Sequence, residues 1–478
     1  IRQTRQWLRE ARKPIPLTGC LLVGPAHAAG RIGLNVLGVA DELAMVAKLH
    51  RLNLVLICLP QAMAGVTQRL AGQCAELGIE SRTLPALDDV LSQPAGQGDG
   101  VDLNRLLDRP SRRLDEQSIG ELLTGRRVMI TGAGGSIGGE LASIIARYQP
   151  SELLLMERAE NNLFDIHRRL TARHPELTIR PLLHDVTREG RTLELCREHR
   201  PNIIFHAAAH KHVPMMEDHP RAAVENNLFG TKAIADAAHA VGADRFVMIS
   251  TDKAVNPTSV MGATKRLAEL YVQHLNGVSE TVFTMVRFGN VLGSACSVIP
   301  IWTQQLAEGG PVTVTDPRMT RYFMTIPEAA ALVIQAGALA EAGGQVMLLD
   351  MGEPIRIVDM AVRFIEMVGL TPGREVPIVF TGARPGEKLV EELAYHSEAM
   401  MPTAHESVRI WRSTPPQASD MDRIIERFAE LRDSGDRATI LQALREALPE
   451  MRAPQDPADL PADQPPLLEP KLPATQSA

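Results

Sequence analysis

Short apolar runs recur along the middle of the chain, and segments of helical length separate them. Six such runs stand at residues 128–131, 152–156, 179–186, 202–209, 245–251 and 281–290. Continuous apolar runs are typical of strands that are buried on both faces. Regular alternation of strand and helix predicts a parallel sheet with right-handed crossovers. We therefore predict an α/β fold, a Rossmann-type doubly wound sheet with a smaller substrate-binding subdomain.

The first 90 residues predict a separate, partial α/β domain. Apolar runs at 15–23 and 52–58, a helical stretch at 62–77 and a third strand at 78–84 support it. No glycine-rich phosphate loop follows these strands, so we expect no cofactor there. The other predicted parts are a linker at 91–120, a catalytic domain at 121–410, a helical segment at 411–452 and a disordered tail at 453–478. Within the catalytic domain, the substrate-binding part lies mainly at 293–410, where the alternation of strands and helices becomes irregular.

A glycine-rich turn at 128–138 predicts a dinucleotide site. Gly132, Gly135 and Gly138 follow a strand and open a helix. In this context the first glycine permits the tight turn, the second lets the backbone approach a pyrophosphate, and the third lets helix and strand pack closely. The helix N-terminus then favours the phosphate charge. Ser136 and Ile137, at the helix start, are further candidates for cofactor contact.

An acidic residue at the end of the second strand supports this prediction. Glu157 stands at the separation expected of a carboxylate that binds the ribose hydroxyls of NAD. Arg158 follows directly and is suited to the 2′-phosphate of NADP, so the choice between NAD and NADP stays open. Asp185, followed by Val186, ends the third strand within reach of an adenine.

Composition and charge exclude several classes of protein. The net charge of −7 gives no indication of a nucleic-acid or lipid partner, which usually requires a basic stripe. The five cysteines contain no CxxC pair, which argues against a disulfide framework or a zinc site. His206, His210 and His212 have no obvious carboxylate or cysteine to complete a ligand set, so we predict no metal site.

Five motifs in order carry a family resemblance. They are Thr251-Asp252-Lys253, Met261-Gly262-Ala263-Thr264-Lys265-Arg266, Arg287-Phe288-Gly289-Asn290-Val291-Leu292-Gly293, Thr320-Arg321-Tyr322-Phe323-Met324 and Gly382-Ala383-Arg384-Pro385-Gly386-Glu387-Lys388. Over about residues 120–410 the chain resembles the membrane-anchored bacterial UDP-N-acetylglucosamine 4,6-dehydratases. These form a CapD-like polysaccharide biosynthesis group of the extended short-chain dehydrogenase/reductase superfamily.

The resemblance implies a lyase with tightly bound NAD, or NADP, that dehydrates UDP-N-acetylglucosamine for surface polysaccharide or lipopolysaccharide synthesis. It also implies a homo-oligomer. In the family, transmembrane helices precede the α/β domain. The chain starts at Ile1 within a helix-like segment, so we expect a soluble piece of a protein anchored at the cytoplasmic face of the inner membrane.

The resemblance also assigns the catalytic residues. Asp252 is the acid for the C6 hydroxyl and Lys253 the base at C5, although an Asp-Lys pair elsewhere would be an ordinary surface pair. Met261 and Lys265 are four residues apart and share a helix face. Most of the superfamily has tyrosine in place of Met261, and a thioether has no titratable proton. Thr251, or a water that it orients, is therefore the candidate base for the C4 hydroxyl, and Lys265 is close enough to take part.

Further residues are candidates for the substrate and the cofactor. Arg321 and Arg384 are suited to the UDP pyrophosphate because a guanidinium matches phosphate oxygens, although each is compatible with a surface salt bridge. Asn290 and Glu387 are candidates for hydrogen bonds to the substrate, Glu387 through the uridine ribose. Asn227 is a candidate either for direct contact with the substrate or for a structural role in the fold. By the resemblance, Lys265 binds the nicotinamide ribose and Ala207 lies beside the cofactor.

Two other functions fit parts of the pattern. A UDP-sugar 4-epimerase uses the same fold and hydride chemistry but needs no acid and base for C5 and C6, so the Asp252-Lys253 pair argues against it. A non-catalytic NAD-binding scaffold is compatible with Met261. The intact Lys265, together with Arg321 and Arg384, argues against a scaffold.

Overall fold

The computed structural model describes residues 18–23, 35–57, 59, 64–83, 107, 114–340, 343–368, 370–394, 400–411 and 416–453. The predicted linker is described only at 107 and from 114 onward. The predicted tail after residue 453 lies outside the described residues. The chain divides into two compact units. One comprises Ile1–Leu106, Ile299–Val312 and Met360–Val379, and the other comprises Leu107–Val298, Thr313–Asp359 and Phe380–Ala478.

The N-terminal part of the first unit is built from short parallel strands and two helices. These are β1 (Cys20–Leu22), β2 (Val36–Val39), α1 (Leu43–His50), β3 (Leu54–Ile57), α2 (Ala64–Glu76) and β4 (Glu80–Thr83). β1 pairs with β2 and β3 with β4, both in parallel. Leu43, Ile57, Leu70 and Cys74 form the buried centre of this part. The α/β character predicted for it is confirmed, and β2 is a strand that the sequence pattern did not predict.

The second unit is organised around a nine-stranded sheet. The strands that follow β4 are β5 (Arg127–Thr131), β6 (Glu152–Glu157), β7 (Ile179–Leu183), β8 (Ile203–His206), β9 (Arg245–Ile249), β10 (Val282–Arg287), β11 (Asn290–Leu292), β12 (Val312–Val314), β13 (Thr320–Arg321), β14 (Phe323–Thr325), β15 (Gln345–Leu349), β16 (Ile355–Arg356), β17 (Ile378–Phe380), β18 (Met400–Pro402) and β19 (Val408–Trp411). The sheet order is β18-β19-β15-β10-β9-β8-β5-β6-β7. The seven strands from β15 to β7 are parallel, and β19 and β18 add antiparallel strands at one edge.

Helices precede, connect and follow the strands. They are α3 (Glu116–Leu123), α4 (Ser136–Ile145), α5 (Glu160–Arg173), α6 (Glu189–His199), α7 (Val213–Asp218), α8 (Pro220–Ala223), α9 (Gly230–Val241), α10 (Val260–Asn276), α11 (Val298–Ala307), α12 (Ile326–Leu339), α13 (Ile357–Met367), α14 (Ala418–Ser434) and α15 (Arg437–Ala447). A π-helical turn, Val224–Phe229, joins α8 to α9. In the described part of the chain, no helix combines the length and the apolar character needed to cross a membrane.

Alternate residues of the central strands pack on opposite faces of the sheet. In β5, Val128 and Ile130 belong to one hydrophobic cluster, whereas Met129 belongs to another. In β9, Val247 joins the first cluster and Phe246 the second. This is the two-residue period of a strand covered by helices on both sides. It explains why these segments are apolar throughout.

The predicted Rossmann-type fold is confirmed, with strand order and crossovers of the doubly wound class. All six predicted strands of the second unit are present, but the last four end earlier than predicted, at Leu183, His206, Ile249 and Arg287. The sequence pattern after residue 293 is irregular and predicts no strands of the main sheet. The structure has three there, β15, β18 and β19. β18 and β19 have three and four residues, too few for a strand period to stand out.

Candidate active site

The glycine-rich turn lies between β5 and α4, at the carboxyl end of the parallel strands. Gly132 has a φ of +68°, which disfavours other residues. A Cβ at Gly132 would lie 2.8 Å from the Ala208 backbone nitrogen, and a Cβ at Gly138 would lie 2.1 Å from the Gly132 carbonyl oxygen. The turn therefore requires glycine at both positions, for the reasons that the sequence predicted.

A cavity of about 700 Å³ opens in front of this turn. Its lining includes the predicted cofactor residues Gly132, Gly135, Ser136, Ile137, Gly138, Ala207 and Lys265. Thr251, Lys253 and Met261 line the same cavity. A volume of this order is typical of sites that bury a small organic ligand. The cofactor residues of the glycine-rich turn thus share one cavity with four of the five predicted catalytic residues, all except Asp252.

A smaller cavity of about 170 Å³ adjoins the turn, and Glu157, Arg158, Asp185 and Val186 line it. The Glu157 carboxylate accepts hydrogen bonds from the backbone N–H groups of Gly134, Arg158 and Ala159, at 3.2, 2.9 and 3.0 Å. These bonds fix the carboxylate beside the glycine-rich turn.

Arg158 and Asp185 are engaged within the same small cavity. The Arg158 guanidinium lies 2.7 Å from His210 Nε2 and 3.9 Å from Asp185 Oδ2. Burial raises the pKa of Asp185, but hydrogen bonds from Thr187 and the charge of Arg158 outweigh it and hold the pKa below its usual value. The Asp185 carboxylate is thus ionised, and it shares the cavity with a cation.

His206 stands behind the glycine-rich turn. Its Nδ1 lies 2.7 Å from Thr131 Oγ1 and its Nε2 lies 2.9 Å from Thr231 Oγ1. Burial, with the nearby charge of Lys265, lowers the pKa of His206 to about 3. The ring is a neutral structural group whose two nitrogens are both used. Within the described part of the chain, no three His, Cys, Asp or Glu side chains are grouped as a metal site would require.

Met261 and Lys265 lie on α10, and both line the large cavity. The Lys265 Nζ donates a hydrogen bond of 2.7 Å to the Ile249 carbonyl oxygen at the end of β9. Burial lowers the pKa of Lys265 to about 8, against the opposing charge of Glu269. A lysine of this kind exchanges a proton near neutral pH, whereas the Met261 thioether has none to exchange.

Thr251, Asp252 and Lys253 follow β9 in a tight turn that the Thr251 side chain caps. The Lys253 Nζ donates to Asp252 Oδ1 at 2.9 Å and to Asn290 Oδ1 at 3.0 Å. The Thr251 hydroxyl donates to the same Asp252 oxygen at 2.9 Å. Asp252 is fully buried, and its Oδ2 has no hydrogen-bond partner among the described residues. The three predicted catalytic groups therefore form one hydrogen-bonded unit.

A buried ion network, which the sequence analysis missed, holds this unit against α10. Glu269 accepts from both sides of the Arg287 guanidinium, at 2.7 and 2.5 Å, and from the Ser250 hydroxyl at 2.7 Å. Arg287 also stacks on the Trp411 ring at 4.9 Å. The only local signal was Arg287 itself, a charged residue at the end of the apolar run Val282–Arg287.

Four of the five predicted substrate residues, Asn290, Arg321, Arg384 and Glu387, line a third cavity of about 190 Å³, together with Lys253. Arg321 is buried and donates to the carbonyl oxygens of Thr320, Lys388 and Leu389, at 2.7, 2.8 and 3.2 Å. The Arg321 guanidinium thus uses these hydrogen bonds on backbone carbonyls, and its main contribution to binding an anionic ligand is its positive charge. Arg384 is exposed and pairs with Glu387 at 2.8 Å.

Asn227 is enclosed away from all three cavities. Its side chain accepts from the His210 backbone N–H at 2.8 Å and donates to the His210 carbonyl at 3.1 Å and to Thr264 Oγ1 at 3.2 Å. These bonds favour the structural role that the sequence analysis left open. The residues that the sequence missed at the third cavity are Lys211, His212, Lys388 and Glu391.

A family model described as "Polysaccharide biosynthesis protein" matches residues 128–413. The chain belongs to this family. The predicted resemblance to a CapD-like polysaccharide biosynthesis group is therefore confirmed at the level of the family. Among curated relatives, the probable polysaccharide biosynthesis protein EpsC of Bacillus subtilis is 43% identical over 87% of this chain and 70% of its own length. The capsular polysaccharide biosynthesis protein CapD of Staphylococcus aureus is 42% identical over 82% of this chain and 66% of its own length.

More distant members of the wider superfamily include two kinds of UDP-sugar enzyme. A UDP-N-acetylglucosamine 4,6-dehydratase (inverting) of Campylobacter jejuni is 29% identical over 56% of this chain and 78% of its own length. A UDP-glucose 4-epimerase of Rickettsia rickettsii is 30% identical over 58% and 80%. Among solved structures, Pen from Bacillus thuringiensis is 35% identical, with a TM-score of 0.56 over 61% of this chain and 89% of its own.

Proposed function

We propose that the chain binds NAD(P) and catalyses the 4,6-dehydration of UDP-N-acetylglucosamine, as a lyase that recycles its cofactor. The observation that carries the proposal is the Asp252–Lys253 pair, which is hydrogen-bonded at 2.9 Å. Lys253 of this pair borders the cavity that the glycine-rich turn lines. An acid and a base side by side at such a site suit an elimination across two neighbouring carbons.

The residues around the glycine-rich turn fit a dinucleotide cofactor. Gly132, Gly135 and Gly138 line the large cavity without side chains, next to the N-terminus of α4, where phosphate charge is favoured. Ser136 and Ile137 would contact the cofactor at the helix start, and Lys265 would bind the nicotinamide ribose in the large cavity. When bound, the nicotinamide supplies the acceptor that takes a hydride from sugar C4 and returns it to C6.

We favour NAD over NADP at this site. The Glu157 carboxylate is held by three backbone N–H groups beside the turn, where a 2′-phosphate would meet its negative charge. Arg158, the group that would favour NADP, is engaged by His210 and by Asp185. Nucleotide extracted from the purified protein should be NAD, and finding only NADP would overturn this choice.

The chemistry at the sugar follows from the hydrogen-bonded unit after β9. Oxidation at C4 makes a ketone, which acidifies the proton on C5. Lys253 takes this proton as an amine, and Asp252 donates a proton to the departing C6 hydroxyl. Thr251 bonds Asp252 directly, so the C4 hydroxyl proton has a path to the ionised Asp252 carboxylate, which then becomes the acid for the C6 hydroxyl. Lys253 acts at C5 as a free amine, after its ammonium proton has been released to solvent.

The third cavity is suited to the UDP diphosphate. Cationic side chains surround it: Lys211, Lys253, Arg321, Arg384 and Lys388. Arg384 has an exposed guanidinium that a phosphate can reach, and Arg321 adds a buried positive charge. Glu387 and Asn290 remain candidates for hydrogen bonds to the ribose and the sugar. Such a set favours a dianionic nucleotide over a neutral sugar.

The deciding experiment is incubation with UDP-N-acetylglucosamine and measurement of product mass. The proposal expects a product lighter by one water without net reduction of NAD(P). An unchanged mass with inverted configuration at C4 would establish a 4-epimerase, the activity of some of the distant relatives. Accumulating NAD(P)H would indicate a plain dehydrogenase, and bound cofactor without turnover of any UDP sugar would indicate a scaffold.

The cellular role extends the same proposal. Family membership supports synthesis of a surface polysaccharide or lipopolysaccharide precursor. Attachment of the full-length protein to the cytoplasmic face of the inner membrane, and assembly into a homo-oligomer, stay predictions from the family resemblance. Fractionation of cells that express the full-length protein, and light scattering on the purified chain, would test them.

A further inference from the structure

Glu391 is a buried carboxylate beside Asp252 and Lys253, which we call the elimination pair. The proposed mechanism does not use Glu391. It is 4% exposed and lines the third cavity. Its Oε1 lies 3.9 Å from Lys253 Nζ and 3.9 Å from Arg321 Nη2, and its Oε2 lies 3.9 Å from Lys388 Nζ. Among the described residues, Oε2 has no hydrogen-bond partner. A buried carboxylate without a direct hydrogen bond lowers the stability of the fold, so its presence at this position indicates a function.

The three cations around Glu391 all take their hydrogen bonds elsewhere. Arg321 donates to backbone carbonyls, and Lys388 donates to the Val255 carbonyl oxygen at 2.7 Å. Lys253 donates to Asp252 and Asn290. Glu391 therefore acts on them through charge: a single buried carboxylate lies within 4 Å of three cationic groups.

This arrangement matters when Lys253 acts as a base. Taking the C5 proton turns its amine into an ammonium group close to two buried cations, Arg321 and Lys388. Asp252 is the neutral acid at this step, so without another anion the positive charge is disfavoured and the base is weakened. We propose that Glu391 is a positioning residue that stabilises the ammonium form of Lys253 and so strengthens it as the base at C5. The inference rests on the proposed dehydration.

The neighbouring charges are compatible with this role. Burial raises the pKa of Glu391, and Asp252 adds to that effect, whereas Lys253, Arg321 and Lys388 oppose it. Three cationic groups within 4 Å favour the ionised form of Glu391, which is the form that the proposed role requires. The other titratable groups that line the cavity are Lys211, His212, Arg384 and Glu387.

The chain offers a matched control in the next residue. Glu392 is also a carboxylate, but it binds Asn256 and Arg452, and it does not line the cavity. Glu391→Gln and Glu392→Gln remove the same charge from adjacent positions. Only the first is expected to change the titration of Lys253.

The test is a direct titration of Lys253 in the cofactor-bound protein without substrate. Lysine side chains carry ¹³C at Cε, and Lys253→Arg identifies the Lys253 signal. In Glu391→Gln, Lys253 should lose its proton at a pH lower by about one unit or more, as expected for loss of a nearby opposite charge. Glu392→Gln should leave the midpoint in place. An unmoved midpoint in Glu391→Gln, or an equal shift in Glu392→Gln, would overturn the proposal.

A second variant changes the midpoint in the opposite direction. Lys388→Gln removes a cation that shares Glu391, so Lys253 should keep its proton to a higher pH than in the unaltered protein. An unchanged or lowered midpoint would contradict the proposal even if Glu391→Gln does not fold. Because these titrations use no substrate, they test Glu391 separately from the reaction. If the protein dehydrates the UDP sugar, Glu391→Gln should slow C5 exchange about tenfold or more and spare C4 hydride transfer.

Discussion

The Nζ of Lys265 donates a hydrogen bond of 2.7 Å to the carbonyl oxygen of Ile249, which ties α10 to the end of β9. The turn that carries Thr251, Asp252 and Lys253 begins two residues after Ile249. This bond therefore sets the distance between the helix that presents Met261 and the turn that presents the elimination pair. Both segments line the large cavity as a result.

Gly138 gives a test of the cofactor site. A Cβ there would lie 2.1 Å from the Gly132 carbonyl oxygen, so Gly138→Ala should push α4 away from β5 and remove most bound nucleotide. Gly190→Ala is the control, because no described heavy atom lies within 4 Å of the added Cβ. The measurement is nucleotide released per protein after denaturation. Full occupancy in Gly138→Ala would show that the turn does not cradle the cofactor.

Substitutions in the elimination pair should reduce the rate of dehydration without preventing binding of the UDP sugar. Asp252→Asn and Lys253→Met should still bind the UDP sugar but lose dehydration by roughly 10²–10⁴-fold, the usual contribution of general acid–base catalysis. Asp236→Asn is a control that breaks a similar ion pair, with Lys232, away from the three cavities. The measurements are product formation and calorimetric binding. Undiminished turnover in both pair variants would place the chemistry on other residues.

His206 should make the protein sensitive to acid. Its pKa of about 3 lies below the usual value near 6.5, because burial disfavours the charged ring. Between these two pH values the unfolded chain binds a proton that the folded chain does not. Stability is therefore lost as the pH falls through this window, by about 1.4 kcal/mol per pH unit from this group. His206→Gln should flatten that slope in urea unfolding experiments, whereas His239→Gln, at an exposed position without such burial, should not.

Local signals explain what the sequence could predict. The glycine spacing, the strand before it and the adjacent Asp252 and Lys253 all lie within short segments whose geometry follows from a strand end and a helix start. Contacts between distant segments had no such signal. Glu391 approaches Lys253 from 138 positions along the chain, and Arg321 is turned towards backbone carbonyls that only the folded chain brings to it. Those features depend on how irregular segments after residue 293 fold back on the sheet.

Met261 carries the last prediction, because the sequence departs from most of its superfamily there. If Met261 merely replaced a lost base, Met261→Tyr would restore a stronger base and raise the rate. We expect a slower enzyme instead. Met261 is 3% exposed within a hydrophobic cluster that includes Val260 and Ala263, so a phenol would need both space and a partner for its hydroxyl.

The comparison uses two further variants and one measurement. Thr251→Val should be harmful, because it removes the hydroxyl that bonds Asp252 Oδ1 at 2.9 Å. Met261→Leu should be mild, because it nearly conserves volume. Single-turnover hydride transfer from the UDP sugar separates these effects from product release. A fast Met261→Tyr together with an unaffected Thr251→Val would show that another group accepts the C4 proton, and Lys265, with its pKa of about 8, would be the next residue to test.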